Sequence, residues 1–449
     1  MEVMQEAPTT AVFDARVGDR AQREKDVMRK ISIRILPFIM VLFVCSYLDR
    51  INIGYAAISM NSDLKLTAAM FGFANSIFYF SYLLCEVPSN IIMQRVGARI
   101  WITRIMITWG ILSAATMFAT GPTSLYVIRF LVGVAEAGFV PGILLFITYY
   151  FPSAYRARAN TIFLLGMPTT AALGSIVSGF ILSAGRMYGL AAWQWLFLLE
   201  GTPALILGIV TFFYFRDRPG LCPWLTEDDK ALVADMFARD LATQAARKSE
   251  GNKVRTIFAE LKSPLVVRFA FCYLCLVVSL SMLSTWTPLI IRGLFASRAI
   301  QQIGLMTVVP GICSVIAMLY WGFHSDRTQE RKWHIVCPML LGAGGWLIAA
   351  TVHLAIVQLL GIILASLGVF ATFGVFWTIP GTALSDDAKA AGLALINSVG
   401  LAGAVVSPTI IGLLRDWTHD YAIGLIYTAV MLVLGGLSMA LGGFRVSSK

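Results

Sequence analysis

Twelve long apolar runs constrain this chain more than anything else in it. They cover roughly residues 33–57, 68–93, 100–119, 123–150, 160–184, 193–215, 265–291, 301–323, 334–353, 355–380, 390–414 and 421–444. A helix needs about 20 mostly apolar residues to cross the hydrocarbon of a bilayer. Membrane strands instead alternate over segments of about ten, and these runs are too long and too uniform for that. A backbone in lipid must satisfy its own hydrogen bonds. The expected fold class is therefore all-α integral membrane, with twelve transmembrane helices. Composition agrees: 58% of residues are hydrophobic and 13% charged, against about 25% charged in soluble domains. The net charge of +10 does not indicate nucleic acid, because the positive residues lie in short loops between spans.

Those loops set an expected orientation. With the N-terminus in the cytoplasm, the inner segments collect the basic tail, Arg95 and Arg99, Arg156 and Arg158, the central loop, Arg327, Arg331 and Lys332, Lys389, Arg445 and Lys449. The outer loops hold only Lys65, Arg186, Arg292, Arg298 and Arg415, the asymmetry of the positive-inside rule. An even number of spans places both ends on the same side. One long polar interval divides the chain six plus six. The expected organisation is a cytoplasmic N-terminal tail (1–32), a first six-helix bundle (33–215), a cytoplasmic central loop (216–264), a second bundle (265–444) and a short C-terminal tail (445–449). The first 30 residues are polar and basic, without a cleavable signal, and read as a disordered or weakly helical arm. In the loop, Thr226 followed by Glu227, Asp228 and Asp229 has the form of a helix start. Leu232, Met236 and Leu241 would give that helix an apolar stripe.

Charges inside the spans are the strongest functional signal. Asp49 and Arg50 stand side by side after an almost entirely apolar stretch. One charge at mid-bilayer costs about 2.5–3.5 kcal/mol on insertion scales, so such residues mark working sites unless they form a self-neutralising structural pair. Adjacent residues diverge by about 100° on a helix; one can face a central cavity while the other turns to a neighbouring helix. Arg129 and Glu136 are seven apart, about 10.5 Å along a helix and on nearly one face. A guanidinium grips a carboxylate at two points, and a carboxyl away from water can hold a proton. The expectation is that Arg50 and Arg129 meet an anionic substrate while Asp49 and Glu136 exchange protons. A static Arg129–Glu136 pair joining two helices is the alternative. Glu86, beside Pro88, reads as structural, and Glu200, after Trp193 and Trp195, as part of an interface cluster.

Other chemistry is weakly represented. Seven scattered cysteines make no disulfide framework, and Cys272 and Cys275, a C-x-x-C within FAFCYLCLVV, read as buried apolar thiols. The four histidines have no metal spacing, so no metal is expected. No nucleophile–base constellation indicates an enzyme. No phosphate-cradling G-x-x-x-x-G-K-S/T occurs, so ATP is not the expected energy source, and no cofactor is expected.

The loops after spans two and eight, MQRVGAR and GFHSDRTQERK, sit at equivalent places in the two halves, as in transporters built from repeats. They resemble the G-x-x-x-D-R-x-G-x-R/K signature of the major facilitator superfamily. The second copy matches at Gly322, Asp326, Arg327 and Arg331, with Gln329 where glycine is usual. The first keeps Arg95, Gly97 and Arg99 but has Asn90 and Gln94 in place of the glycine and the acid. The stretches Tyr47-Leu48-Asp49-Arg50, Glu86-Val87-Pro88-Ser89-Asn90 and Arg129 to Gly133 leading to Glu136-Ala137-Gly138 are similar to the anion:cation symporter branch. That resemblance implies two six-helix bundles, gating loops at the signature residues, and substrate contacts from Tyr82, Trp377 and Asn397 as well as Arg50. It implies proton-coupled uptake of an organic carboxylate, such as phthalate, tartrate or a sugar acid, by alternating access across a bacterial inner membrane. The expected partners are a small organic anion, protons and lipid, with no nucleic acid, and the expected state is a monomer. Span five lacks the G-P-x-x-G-G run that accompanies antiporters in this superfamily, which favours symport. An exporter or exchanger of the same fold, or a transporter-like sensor, are the alternatives.

Overall fold

The computed structural model describes residues 9–247, 261–380, 384 and 389–441. Among these, twelve helical segments are long and apolar enough to cross a membrane. They comprise α1 (Thr9–Asp63), α2 (Ala68–Val96), α3 (Ala98–Ala115), α4 (Pro122–Glu136) with α5 (Phe139–Tyr150), α6 (Ser153–Leu164) with α7 (Gly166–Ser183), and α8 (Ala192–Tyr214) in the first half. The second half has α10 (Pro264–Ser281) with α11 (Thr287–Leu294), α12 (Ile300–Thr328), α13 (Trp333–Thr351), α14 (Ala355–Phe376), α15 (Lys389–Thr418) and α16 (Ala422–Ala440). Between the halves lies α9 (Glu227–Arg247).

Three spans expected as single helices are interrupted. Span four breaks at Ala137 and Gly138, span five at Leu165, and span seven passes through a π-turn at Met282–Trp286. Proline accounts for the first and third: its ring clashes with the carbonyl four residues earlier and it supplies no N–H. Pro141 meets Ala137 in this way and Pro288 meets Ser284.

The two bundles meet most closely at the end remote from the termini, along three seams. In the first, Asp416 at the end of α15 accepts hydrogen bonds from Ala68 N (3.0 Å) and Ala69 N (2.8 Å), capping α2 from the opposite bundle. A carboxylate there meets the positive end of the helix dipole. Beside it, Thr409 donates to Ser76 (2.7 Å). The second seam joins α7 to α12 through small residues: a side chain at Gly304 would lie 2.6 Å from the Ser175 carbonyl. In the third, α1 approaches the π-turn so closely that a Cβ at Gly54 would lie 2.7 Å from the Ser284 carbonyl.

At the opposite end, the helix beginning at Thr9 runs without a break into span one, where the sequence suggested a loose arm. The central loop covers it. Thr226 caps α9, accepting from Asp229 N (3.1 Å) while Asp229 accepts from Thr226 N (3.2 Å). Leu225, Val233 and Met236 are buried in one apolar cluster with Val27, Met28 and Ile31 of α1. Leu241, expected on that stripe, is exposed. Ion pairs edge the contact: Lys30–Asp229 at 2.6 Å, Arg20–Asp235 and Arg239–Glu24. Exposed pairs contribute little each, so the apolar contact carries the docking.

Burial alone would raise the Asp229 carboxyl, but Lys30 and Thr226 outweigh it and hold it below its ordinary range. Because the folded value is depressed, the pairing contributes above the ordinary aspartate value of about 3.9 and fades as pH falls through the folded value. Protease accessibility of the central loop should therefore be flat from pH 5 to 8 and rise only in stronger acid. Asp229→Asn should raise it already at pH 7.

Candidate functional site

The site forms where span one crosses the break in span four. Ser46 and Arg50 lie one turn apart on α1 and share a face. Both donate to Glu136 Oε1, from Ser46 Oγ at 2.9 Å and Arg50 Nε at 2.7 Å. Glu136 is fully buried and is the last residue of α4. A carboxylate there faces the negative end of the helix dipole, so the arrangement depends on the Arg50 charge. Gly138, two residues on, takes the left-handed conformation (φ +88°), and a side chain on it would run into Ser89 of α2.

Arg50 is not fully spent on Glu136. Its side chain is 11% exposed and its Nη2 has no hydrogen-bond partner. The guanidinium lies 4.7 Å from the Tyr82 ring centre. Arg129 sits deeper, at 2% exposure, 4.8 Å from the ring centre of Phe78, which also lies 5.9 Å from Arg50. Desolvated cation–π contacts of this kind contribute about 2 kcal/mol. Among the described residues Arg129 has no carboxylate within 4 Å, and its Nε is unpartnered. The spacing of seven thus places Arg129 and Glu136 on one helix without pairing them; the partner of Glu136 is Arg50.

Asp49 turns the other way, as its position next to Arg50 requires. It is 1% exposed and accepts from Trp109 Nε1 (2.8 Å), Asn52 Nδ2 (3.1 Å) and Ser113 Oγ. Neutral donors make its hydrogen bonds, and the Arg129 guanidinium lies within electrostatic reach.

The second bundle closes the site with uncharged groups. Asn397 on α15 donates to Glu86 Oε1 of α2 across the interface (3.1 Å). Glu86 is 7% exposed and lies near enough to Arg50 to feel its charge, so it belongs to the site. Trp377, just past α14, packs edge-on against Tyr273 (4.8 Å between ring centres). Tyr273 in turn fills the space beside Gly400 of α15. Tyr79 lies within electrostatic reach of Arg50, Arg129 and Glu136. Sequence reasoning missed Tyr79 and Tyr273. Tyr79 is three residues before Tyr82 and so on its face; Tyr273 is a polar tip inside an apolar run. Glu200, read as an interface residue, is instead 3% exposed and accepts from Ser178 Oγ (2.8 Å), while its neighbour Trp193 bonds Asp63.

A family model described as Major Facilitator Superfamily matches residues 39–408. The chain belongs to this superfamily. It is a membrane transporter and not an enzyme. A protein of Agrobacterium vitis named "Putative tartrate transporter" is 43% identical over 415 residues, covering 92% of this chain and 90% of that one. A protein of Acinetobacter baumannii named "Quinolone resistance transporter" is 34% identical over 412 residues, covering 92% and 94%. The solved structure of the xylose transporter XylE from E. coli shares the fold at a TM-score of 0.73 and 14% identity, covering 93% of this chain and 99% of that one.

Both signature loops of the superfamily are present in altered form. In the second, Arg331 pairs with Asp326 (2.7 Å) and donates to Ser325 Oγ (3.0 Å). Gln329 adopts φ +55°, which explains glycine's usual presence there. Gly322 is partly buried and Arg327 exposed. In the first loop Gly97 has φ +97° and Arg95 is exposed. Near that loop Asp217, just after α8, accepts from Arg99 N (2.9 Å), while the Arg99 side chain bonds the Phe212 carbonyl (2.6 Å).

The break in span four has a stability signature. A left-handed non-glycine residue costs about 1–2 kcal/mol, and Gly138→Ala adds the clash with Ser89. This variant should melt several degrees lower in detergent. Gly344→Ala, inside α13 with nothing within 4 Å of the added carbon, should melt no lower than the parent.

Proposed function

We propose that this transporter takes up an organic carboxylate together with protons across a bacterial inner membrane, by alternating access, with both termini in the cytoplasm. The observation that carries the reading is Arg50: a guanidinium inside the bilayer with one amino group bound to no partner, facing a second bundle lined with neutral aromatic and amide groups. A carboxylate entering between the bundles would take that free edge and compete for the rest with Glu136. Once Arg50 turns to the substrate, Glu136 is left as a buried carboxylate without a counterion, and a proton from the cavity restores neutrality. Asp49 would be the second proton-exchanging group, and Arg129 a reserve of positive charge below the site. Tyr82, Trp377 and Asn397 would shape the remainder of the substrate.

The substrate class rests on Arg50 and on the similarity to a protein named as a tartrate transporter. A hydroxy-diacid such as tartrate and an aromatic acid such as phthalate both fit this chemistry. The basic inner loops support the orientation. The protein would act as a monomer, with the proton gradient as its energy source and no cofactor. A second reading, export of an organic anion by the same fold, is favoured by the relative named for quinolone resistance.

In proteoliposomes, Arg50→Ala should lower binding of labelled tartrate or phthalate at least tenfold; unchanged affinity would remove the arginine from the site. Glu136→Gln should suppress gradient-driven accumulation far more than counterflow exchange. Near-normal values in both assays would take Glu136 out of the coupling step.

A further inference from the structure

A second buried carboxyl group lies off the Arg50 site. Glu200 stands eight residues into α8, about 12 Å along the helix, at 3% exposure. Its Oε1 accepts from Ser178 of α7, but its Oε2 has no hydrogen-bond partner. Among the described residues no lysine, arginine or histidine lies within 4 Å of it. Asn52 of α1 connects it to the rest: its side chain reaches Glu200, and its Nδ2 donates to Asp49 Oδ1. The Asn52 carbonyl oxygen is itself buried and unpartnered.

The two acids are built differently. Asp49 has three donors directed at its oxygens. Glu200 has one oxygen without a partner and no cation beside it, with only the Ser178 hydroxyl and the Asn52 amide reaching it. A proton on Glu200 would remove its unpaired charge. The titratable groups facing it are Asp49, Cys45 and Tyr55, all on α1. The α7 helix carries no titratable residue, and the arginines of α3, Arg99 and Arg104, bond the Phe212 and Ala135 carbonyls.

We propose that Glu200 is a proton-binding residue of this transporter, linked to Asp49 through the Asn52 amide. It binds a proton in the arrangement described here and releases it to water when movement of α1 against α7 and α8 opens the group. The proposal rests on the proton-coupled reading for its role in transport, but the proton site itself can be tested without transport.

Infrared difference spectra of the purified protein between acid and alkaline pH should show a protonated-carboxyl band that Glu200→Gln removes and Glu136→Gln retains. In proteoliposomes with labelled tartrate or phthalate, Glu200→Gln should lower gradient-driven accumulation at least fivefold, cut the proton-to-substrate ratio, and lower counterflow no more than twofold. Asn52→Leu should reproduce the loss of accumulation, which keeps the test open if the Glu200 variant does not fold. An unchanged spectrum and an unchanged ratio in Glu200→Gln would overturn the proposal and leave Glu200 as an acceptor for Ser178. If the wild type ignores an imposed proton gradient while the band is still lost in Glu200→Gln, the coupled reading fails and the proton site stands.

Discussion

The bond between Arg50 and Glu136 is the constraint around which the rest is arranged. Taking both charges out of water is expensive, and attraction repays that only with good geometry. Removing one partner of such a pair typically costs 3–5 kcal/mol, because it strands the other charge. On the proposed reading, that asymmetry links binding to protonation. Any anion that draws Arg50 away creates the stranded carboxylate, and a proton is the smallest species that can neutralise it. The break after Glu136 matters for the same reason. Ala137 and Gly138 end the helix there, placing the carboxylate at a helix terminus, where its own backbone disfavours the charge and Arg50 must balance it.

The two bundles divide the work. The ions belong to the first: Asp49, Arg50, Glu86, Arg129, Glu136 and Glu200. The second contributes Trp377, Tyr273 and Asn397, groups that offer faces and hydrogen bonds but no net charge. A carboxylate is held by charge and distinguished by the shape and polarity opposite it. On the proposed reading, substrate preference among related transporters would sit largely in the second bundle and the energetics of coupling in the first.

Much of this was legible in the chain because lipid enforces simple rules. Apolar run length gave twelve spans, and buried charge marked spans one and four. The opposite directions of Asp49 and Arg50 followed from helical pitch. What pitch could not show was the partner of each ion. Arg129 and Glu136 share a face by spacing, yet two turns hold them about 10.5 Å apart along the axis, and Glu136 meets Arg50 from another span. Glu200 was misread, and the inter-bundle bond of Glu86 was not visible, because their partners, Ser178 and Asn397, lie 22 and 311 residues away. Asp217, which accepts from the Arg99 N–H of the first signature loop, is invisible to a motif read along the chain because it arrives from the end of span six.

The inter-bundle contacts also differ in how readily they can be exchanged. At the remote end Asp416 caps two N–H groups of α2 where the helix begins, close to water. Losing that cap to solvent swaps one set of hydrogen bonds for another, at a net cost of about 0.5–2 kcal/mol. The seam at Gly304 adds one exposed bond, from Gln301 to Ser183 (2.8 Å), which water can replace. Asn397 and Glu86, by contrast, meet well inside the bilayer, where water does not replace a lost partner and an unmade bond carries its full desolvation penalty. The outer seams can therefore separate and re-form cheaply, whereas the central bond exchanges only for another polar group of matching geometry. On the proposed reading, a substrate carboxylate or hydroxyl is such a group, and its arrival at the centre would let the bundles move.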